Sequence, residues 1–428
     1  FGKIFIVLTG GRMEVETPVG AASVRGSFMS VEFNEALRQL TINCLETAFN
    51  CDLSYQGTIF NLLTLQKMIV PPLPPRIQPM DGVDIKEWLI NVPNSTTVIA
   101  PTMTNPPSSA QPPGPPAPTA TNTPVPNIVV NTLTDELNSD GDCSLREAIK
   151  AANTNVQVDQ CKPVGGSDTI TFSVNGTITM GIGGTGEDAA LTGDYDITES
   201  LTVIGNGAAN TIISGNSVDR VFHILAGTVS LSEMTISNGD AGALSGGGVF
   251  VGGGAGALSN VTVSNNTAAE GGGVRVNAGT LTISGSTIKS NTATGNGGGI
   301  HINSGSLTMS GGTIGGTGTG NTASLGGGIY ALSTSSISGT LIEDNSATGG
   351  GGGGIQTAGG TTTIQNTTIK KNKGFDAGGG IHVATGGTVS INKSAIDQNS
   401  LTSTGTGGGV YSEATFNAKE TSITANTA

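Results

Sequence analysis

A chain that cleaves acidic polysaccharides needs clustered Asp for calcium or acid–base work, and Lys or Arg to neutralise the substrate. Beyond residue 220 this sequence offers nine acids: Glu233, Asp240, Glu270, Glu343, Asp344, Asp376, Asp397, Glu413 and Glu420. Only Glu343 and Asp344 are adjacent, and His223, His301 and His382 fall in separate segments. No catalytic set assembles from this spacing, so the sequence reads as non-enzymatic, with a polysaccharide lyase or hydrolase as an alternative. A second cluster, Asp135, Asp140 and Asp142, has the carboxylate density of a weak Ca²⁺ site, although its order does not fit an EF-hand loop. No other cofactor is expected.

A third set has binding rather than catalytic character. Phe250, Arg275, His301, Tyr330, Gln356, His382 and Tyr411 each follow a Gly-Gly-Gly-[Val/Ile] tetrad. If the tetrads stack, these side chains should point outward as a stripe on a surface otherwise made of Thr, Ser and Gly. Such a stripe suits a polysaccharide or a surface protein. The plainer expectation is that it only covers backbone.

The tetrads end at Val249, Val274, Ile300, Ile329, Ile355, Ile381 and Val410, at intervals of 25 to 29 residues. Each unit carries three short runs with apolar residues at every second position, for example Val274, Val276, Leu281, Ile283 and Ile288. Units of this length, with three strands and almost no aromatics, predict the coils of a parallel β-helix. Stacked coils must turn at equivalent positions, where Gly supplies the backbone angles and allows close approach. Asn266, Asn291, Asn321, Asn345, Asn372, Asn399 and Asn426 recur in the last turn. Asn tolerates left-handed geometry, and its amides can form a ladder from coil to coil. The pattern stops at Asn426 with no cap. That implies either a longer natural chain or an open end that self-associates into a filament.

Composition agrees. Of 68 glycines, 59 lie beyond Pro163, and of 18 prolines, 16 lie between Pro71 and Pro126. A proline-free stretch suits a continuous ladder, because Pro removes a donor. The net charge is −13, with 4 bases against 13 acids in residues 127–220. An acidic chain without basic clusters repels phosphate backbones, so no nucleic-acid partner is expected. No apolar run reaches the ~20 residues of a membrane-spanning helix. The pairs Cys44/Cys51 and Cys143/Cys161 predict two local disulfides and an oxidising compartment.

Residues 143–155 read CSLREAIKAANTN and predict a helix with a Ser144/Glu147 capping box and a buried stripe of Leu145, Ala148, Ile149 and Ala152. Arg146 is expected to serve an ion pair. GDCSLREAIKAAN closely resembles the CSLREA domain, found at the start of bacterial surface β-helix proteins. The GGG-[IV] and N-[ST]-A units resemble the repeats of polymorphic outer-membrane proteins and autotransporter-type adhesins. Val15 to Gly26, VETPVGAASVRG, resembles the FecR domain, an extracytoplasmic β module.

These resemblances imply an extracellular or cell-surface right-handed parallel β-helix with a helical cap. The expected order is a FecR-like β domain (1–70), a Pro-rich segment with a short helix at 83–90 (71–92) and a Pro-rich linker (93–126). The cap and first coils (127–220) and the Gly-rich coils (221–428) follow. The expected role is an adhesin-like binding rod or stalk.

Overall fold

A computed structural model describes residues 127–428 in full and, between residues 3 and 79, the backbone of nine strands. The chain divides into two units, Phe1–Ala120 and Thr121–Ala428. In the first, Lys3–Val7, Phe28–Asn34, Gln39–Glu46, Gln66–Val70 and Arg76–Pro79 form a five-stranded antiparallel sheet. Arg12–Thr17, Gly20–Arg25, Asn50–Tyr55 and Thr58–Leu62 form a four-stranded one. The expected Cys44–Cys51 disulfide, the helix at 83–90 and the linker at 93–126 lie outside the described residues.

The second unit is an all-β parallel solenoid of about nine turns, with a single helix among the described residues. Three sheets of eleven, ten and nine strands run along its length. One coil consists of Val274–Val276, Thr280–Ser284, Thr287–Lys289 and Thr292–Ala293. The first three strands are those the alternation predicts. The fourth, two residues long, belongs to a further six-stranded sheet where the sequence predicts only a turn. Val274, Val276, Leu281, Ile283 and Ile288 all face inward and are buried. Each such side chain stabilises by about 1.5–3 kcal/mol relative to an exposed one.

The seven recurring asparagines sit at the corner before the fourth strand. Asn291 Nδ2 donates to Asn321 Oδ1 at 2.9 Å, and the Asn291 backbone N–H donates to the same oxygen at 3.0 Å. Its second amide hydrogen goes to the Val263 carbonyl at 3.0 Å. The same pattern runs unbroken from Asn266 to Asn426. Left-handed geometry is not their task. That falls to the residue before, such as Asn265 (φ 57°), Ser290 (φ 53°) and Lys371 (φ 54°).

The glycine triplets answer to this ladder. A methyl at Gly273 would lie 2.7 Å from the Gly299 carbonyl oxygen and 2.9 Å from Asn291 Nδ2. The third glycine is therefore absent side chain where the buried amide sits. The first glycine, Gly271, turns at φ 62°, and a methyl there would meet Arg275 Cβ at 2.8 Å. A parallel ladder of hydroxyls closes another corner, where Thr367 N donates to Ser394 Oγ at 3.1 Å and Val261 N to Ser286 Oγ at 3.1 Å.

The N-terminal end is covered by the helix Leu145–Thr154, whose capping box joins Ser144 and Glu147 as expected. Leu145, Ala148, Ile149 and Ala152 are buried against the first coils. A disulfide joins Cys143 to Cys161 beside it.

Replacing Asn321 with Ala strips partners from Asn291 N, Asn291 Nδ2, the Ile288 carbonyl and Asn345 Oδ1, all in a buried corner. The expected loss is about 2–4 kcal/mol in urea denaturation. Thr308→Ala, on the exposed face of the neighbouring strand, should change it by less than about 0.5 kcal/mol.

Candidate functional site

The stripe residues lie in register. Parallel pairing stacks Phe250 on Arg275, then His301, Tyr330, Gln356, His382 and Tyr411, one per coil. The column also continues one coil towards the cap through His223 and two coils through Asp196. Both precede the first glycine triplet, so the tetrad pattern does not mark them. Only their offset from the later coils could have done so.

The expected exposure is not found. His301 is 1% exposed, Gln356 5%, Tyr330 8% and His382 9%. Phe250, Arg275 and Tyr411 are half-buried. The cause is the turn that precedes each stripe residue. After the Asn corner the chain folds back across this face, pairing Ser245 with Glu270, Asn296 with Leu325 and Ala377 with Thr406. The first glycine of the triplet then packs on the stripe residue's own Cβ. The stripe is thus a column along the floor of a groove rather than a row of free side chains.

Neighbours within the column match one another. His223 and Phe250 rings lie 5.0 Å apart, His301 and Tyr330 5.1 Å in an edge-to-face contact, and His382 and Tyr411 5.3 Å. Aromatic pairs of this kind contribute about 0.5–1.5 kcal/mol beyond area burial. The Arg220 guanidinium sits 5.0 Å over the Phe250 ring. Arg275 pairs with Glu270 on the wall and reaches His301 Nδ1 at 3.3 Å. Arginine only donates, so His301 Nδ1 accepts and its proton sits on Nε2. Burial, then the Arg275 charge, pulls the His301 pKa down to about 3.

The groove widens into a cleft of about 490 Å³ beside the six-glycine run at 349–354. Gly350, Gly351, Asp376, His382, Tyr411 and Glu413 are among its lining residues. Both ring nitrogens of His382 lack a hydrogen-bond partner, with Nε2 3.9 Å from Glu413 Oε1, and Oε1 of Gln356 is buried beneath Gly351 outside the cleft lining. Burial lowers the His382 pKa, with Glu413 and Asp376 opposing it. Asp376, Glu413 and the glycine run were visible in the sequence. Only the coil register brings them to His382.

The calcium expectation needs correction at Asp135. Its carboxylate is fully buried, with Oδ1 2.7 Å from Arg146 Nε and Oδ2 3.0 Å from Arg146 Nη2. It also accepts from Gly181 N, Ile182 N and the Tyr195 hydroxyl. Burial raises its pKa, but Arg146 and the two N–H groups outweigh that and leave it below the ordinary carboxylate value. Asp135 therefore neutralises the cap arginine and has no lone pair to spare for an ion. Arg146 goes on to the Gly193 carbonyl at 2.7 Å, fastening the helix to the first coil.

Asp140 and Asp142 instead gather with Glu136, within 4.8 Å of one another. Asp140 accepts from Asp142 N, and Asp159 accepts from Asp140 N and Gly141 N, so these acids close a turn. Asp188, Asp196 and His223 form another close group at the foot of the column. His223 Nδ1 lies 3.1 Å from Asp196 and 3.6 Å from Asp188.

Neither the family models nor the curated proteins contain a match to this chain. A solved structure from Parabacteroides distasonis, provisionally assigned as an anti-sigma factor, aligns at 16% identity with a TM-score of 0.18. The alignment covers 21% of this chain and 44% of that one, so this chain spans less than half of that protein's length. A likeness this slight carries no argument. No described helix is long and apolar enough to cross a membrane.

His301 yields a pH test. Its folded pKa of about 3 lies below the ordinary imidazole value of 6.5, so the unfolded chain takes up the proton first as pH falls. Its stabilising contribution is complete above pH 6.5 and is lost as pH falls from 6.5 towards 3. Urea midpoints should decline across that window, and His301→Gln should flatten the decline. An unchanged slope in the variant would count against a neutral buried His301.

Proposed function

We propose that this protein is a non-catalytic, extracytoplasmic β-helix rod that binds a ligand along the groove floored by its side-chain column. One observation carries the reading: the column runs into a cleft of about 490 Å³ lined by His382 and Tyr411 together with Asp376 and Glu413. A cleft of this size, with an aromatic face and a few convergent polar groups, has the make-up of a small-ligand site.

The compartment rests on sequence resemblance. Cys143 to Ala148 spell the CSLREA motif, and the Gly and Asn repeats resemble those of bacterial surface adhesins. The FecR-like segment around Thr17 to Gly26 points to the same side of the membrane. The Cys143–Cys161 disulfide supports an oxidising location. Against catalysis stands the scatter of the acids. Glu270 is committed to Arg275, and Glu343 faces Lys370 and Lys371 at 3.4 and 3.5 Å.

The purified chain should bind a subset of an array of bacterial and host glycans or cell surfaces. Tyr411→Ala should weaken that binding at least tenfold while lowering the melting temperature by only about a few degrees, the share of the lost ring pair with His382. Unaltered binding by the variant would remove the groove from the account. Product release from a polysaccharide would replace binding with catalysis, and elongation with concentration in light scattering would favour a filament.

A further inference from the structure

Three side chains able to ligate a metal meet beside the cap. Parallel pairing sets Asp196, on Tyr195–Ile197, next to His223, on Phe222–Ile224 of the following coil. Asp188 reaches the same point from the loop before Tyr195. His223 Nδ1 lies 3.1 Å from Asp196 Oδ1 and 3.6 Å from Asp188 Oδ1, and the three ligand atoms all fall within 4.8 Å of one another. Two atoms bound to one tetrahedral Zn²⁺ at its usual ~2.1 Å lie about 3.4 Å apart. The group runs from solvent into the core: the Asp188 side chain is 67% exposed, that of His223 12% and that of Asp196 0%. An ion can enter past Asp188, and water can complete its shell from that side.

The charge balance calls for a cation. Asp196 is a fully buried carboxylate, and buried charges are either paired or coordinate metals. Among the described residues its only ionisable partner is His223, which it shares with Asp188. Arg220, three residues before His223, is committed to Asp194 at 2.9 Å, with Asp219 at 4.0 Å. Even a protonated His223 would leave one negative charge over, whereas a divalent ion beside a neutral imidazole balances both carboxylates. The surroundings fix the ligands in place. Ala190 N donates to Asp196 Oδ2 at 3.0 Å and leaves Oδ1 facing His223. Asn153 of the cap helix brackets the same strand, donating to the Asp196 carbonyl and accepting from Thr198 N. Glu187 accepts from Ala189 N and Thr192 N, closing the loop that carries Asp188.

We propose that Asp188, Asp196 and His223 bind a divalent transition-metal ion of the zinc type, which clamps the cap loop to the first two coils. One imidazole with two carboxylates selects such an ion over Ca²⁺ and Mg²⁺, whose shells are built from oxygen. His223 ligates through Nδ1, with its proton on Nε2. Arg146 already holds the same loop from the core side, at the Ala190 and Gly193 carbonyls. The ion adds a cross-link on the outer side. It does so in coils that precede the Asn ladder, which starts at Asn266 and cannot hold them.

The test is calorimetric titration of the chelator-treated whole chain with Zn²⁺ at neutral pH, with Ca²⁺ and Mg²⁺ run alongside and the melting temperature followed in parallel. The chain should take up an equivalent of Zn²⁺ that Asp188→Asn binds at least tenfold more weakly. Asp188 is exposed, so this variant should melt like the parent when both are metal-free. Free Zn²⁺ about one-hundredfold above Kd should raise the parent's melting temperature by about 5 °C, and EDTA should reverse the rise. Co²⁺ in place of Zn²⁺ should give visible absorption that His223→Gln lacks. Asp140→Asn, in the separate cluster of Glu136, Asp140 and Asp142, should bind Zn²⁺ like the parent. Equal Zn²⁺ uptake and stabilisation in Asp188→Asn and His223→Gln would overturn the site. No uptake by the parent chain would overturn it too, leaving His223 as an ion-pair bridge between two carboxylates. Ca²⁺ bound as tightly as Zn²⁺ would overturn the class of metal.

Discussion

A carboxamide buried in a protein core has two donor hydrogens and an acceptor oxygen, and leaving any of them unpaired is costly. The solenoid meets that demand by repetition. Each ladder Asn accepts from the backbone and side chain of the Asn one coil before it, and donates to the next Asn and to a backbone carbonyl of the preceding coil. A chain built this way cannot vary the coil freely. The Asn must return at the same height, the residue before it turns left-handed at every ladder Asn except Asn321, and the strand beyond the loop must arrive without a side chain. The glycine triplet is that last condition.

The same corner shapes the functional surface. Once the triplet folds back over the sheet, the side chain after it can no longer stand free in solvent. It packs between its neighbours above and below, in a groove walled by the returning loop. Large flat groups fill such a slot well, and His, Phe, Tyr, Arg and Gln occupy it in succession. Beside the six-glycine run the surface opens into a cleft lined by His382 and Tyr411. Structure and candidate site thus share one origin, the close packing that the buried amides impose.

Much of the solenoid is legible in the sequence, because its physics is periodic. The alternation at Val274, Val276, Leu281, Ile283 and Ile288 is visible without coordinates, as are the Asn spacing and the Ser144/Glu147 box. Three features escaped. The two-residue strand after each Asn is too short to show alternation. The covering of the stripe depends on a loop whose sequence changes in every coil. Asp135 looked like one acid among several, because its partners Arg146 and Tyr195 lie 11 and 60 residues away and meet it only at the cap. Asp196 and His223 extend the column below the first triplet, where the motif that revealed its other members is missing.

The claim that the Asn corner holds the solenoid together is tested most directly by native-state hydrogen exchange. The backbone N–H groups of Asn291, Asn321, Asn345 and Asn372 each donate to the next ladder oxygen. They should be among the slowest to exchange in the chain, opening only when whole coils separate. Exchange at these four positions as fast as in the exposed loops would contradict the account.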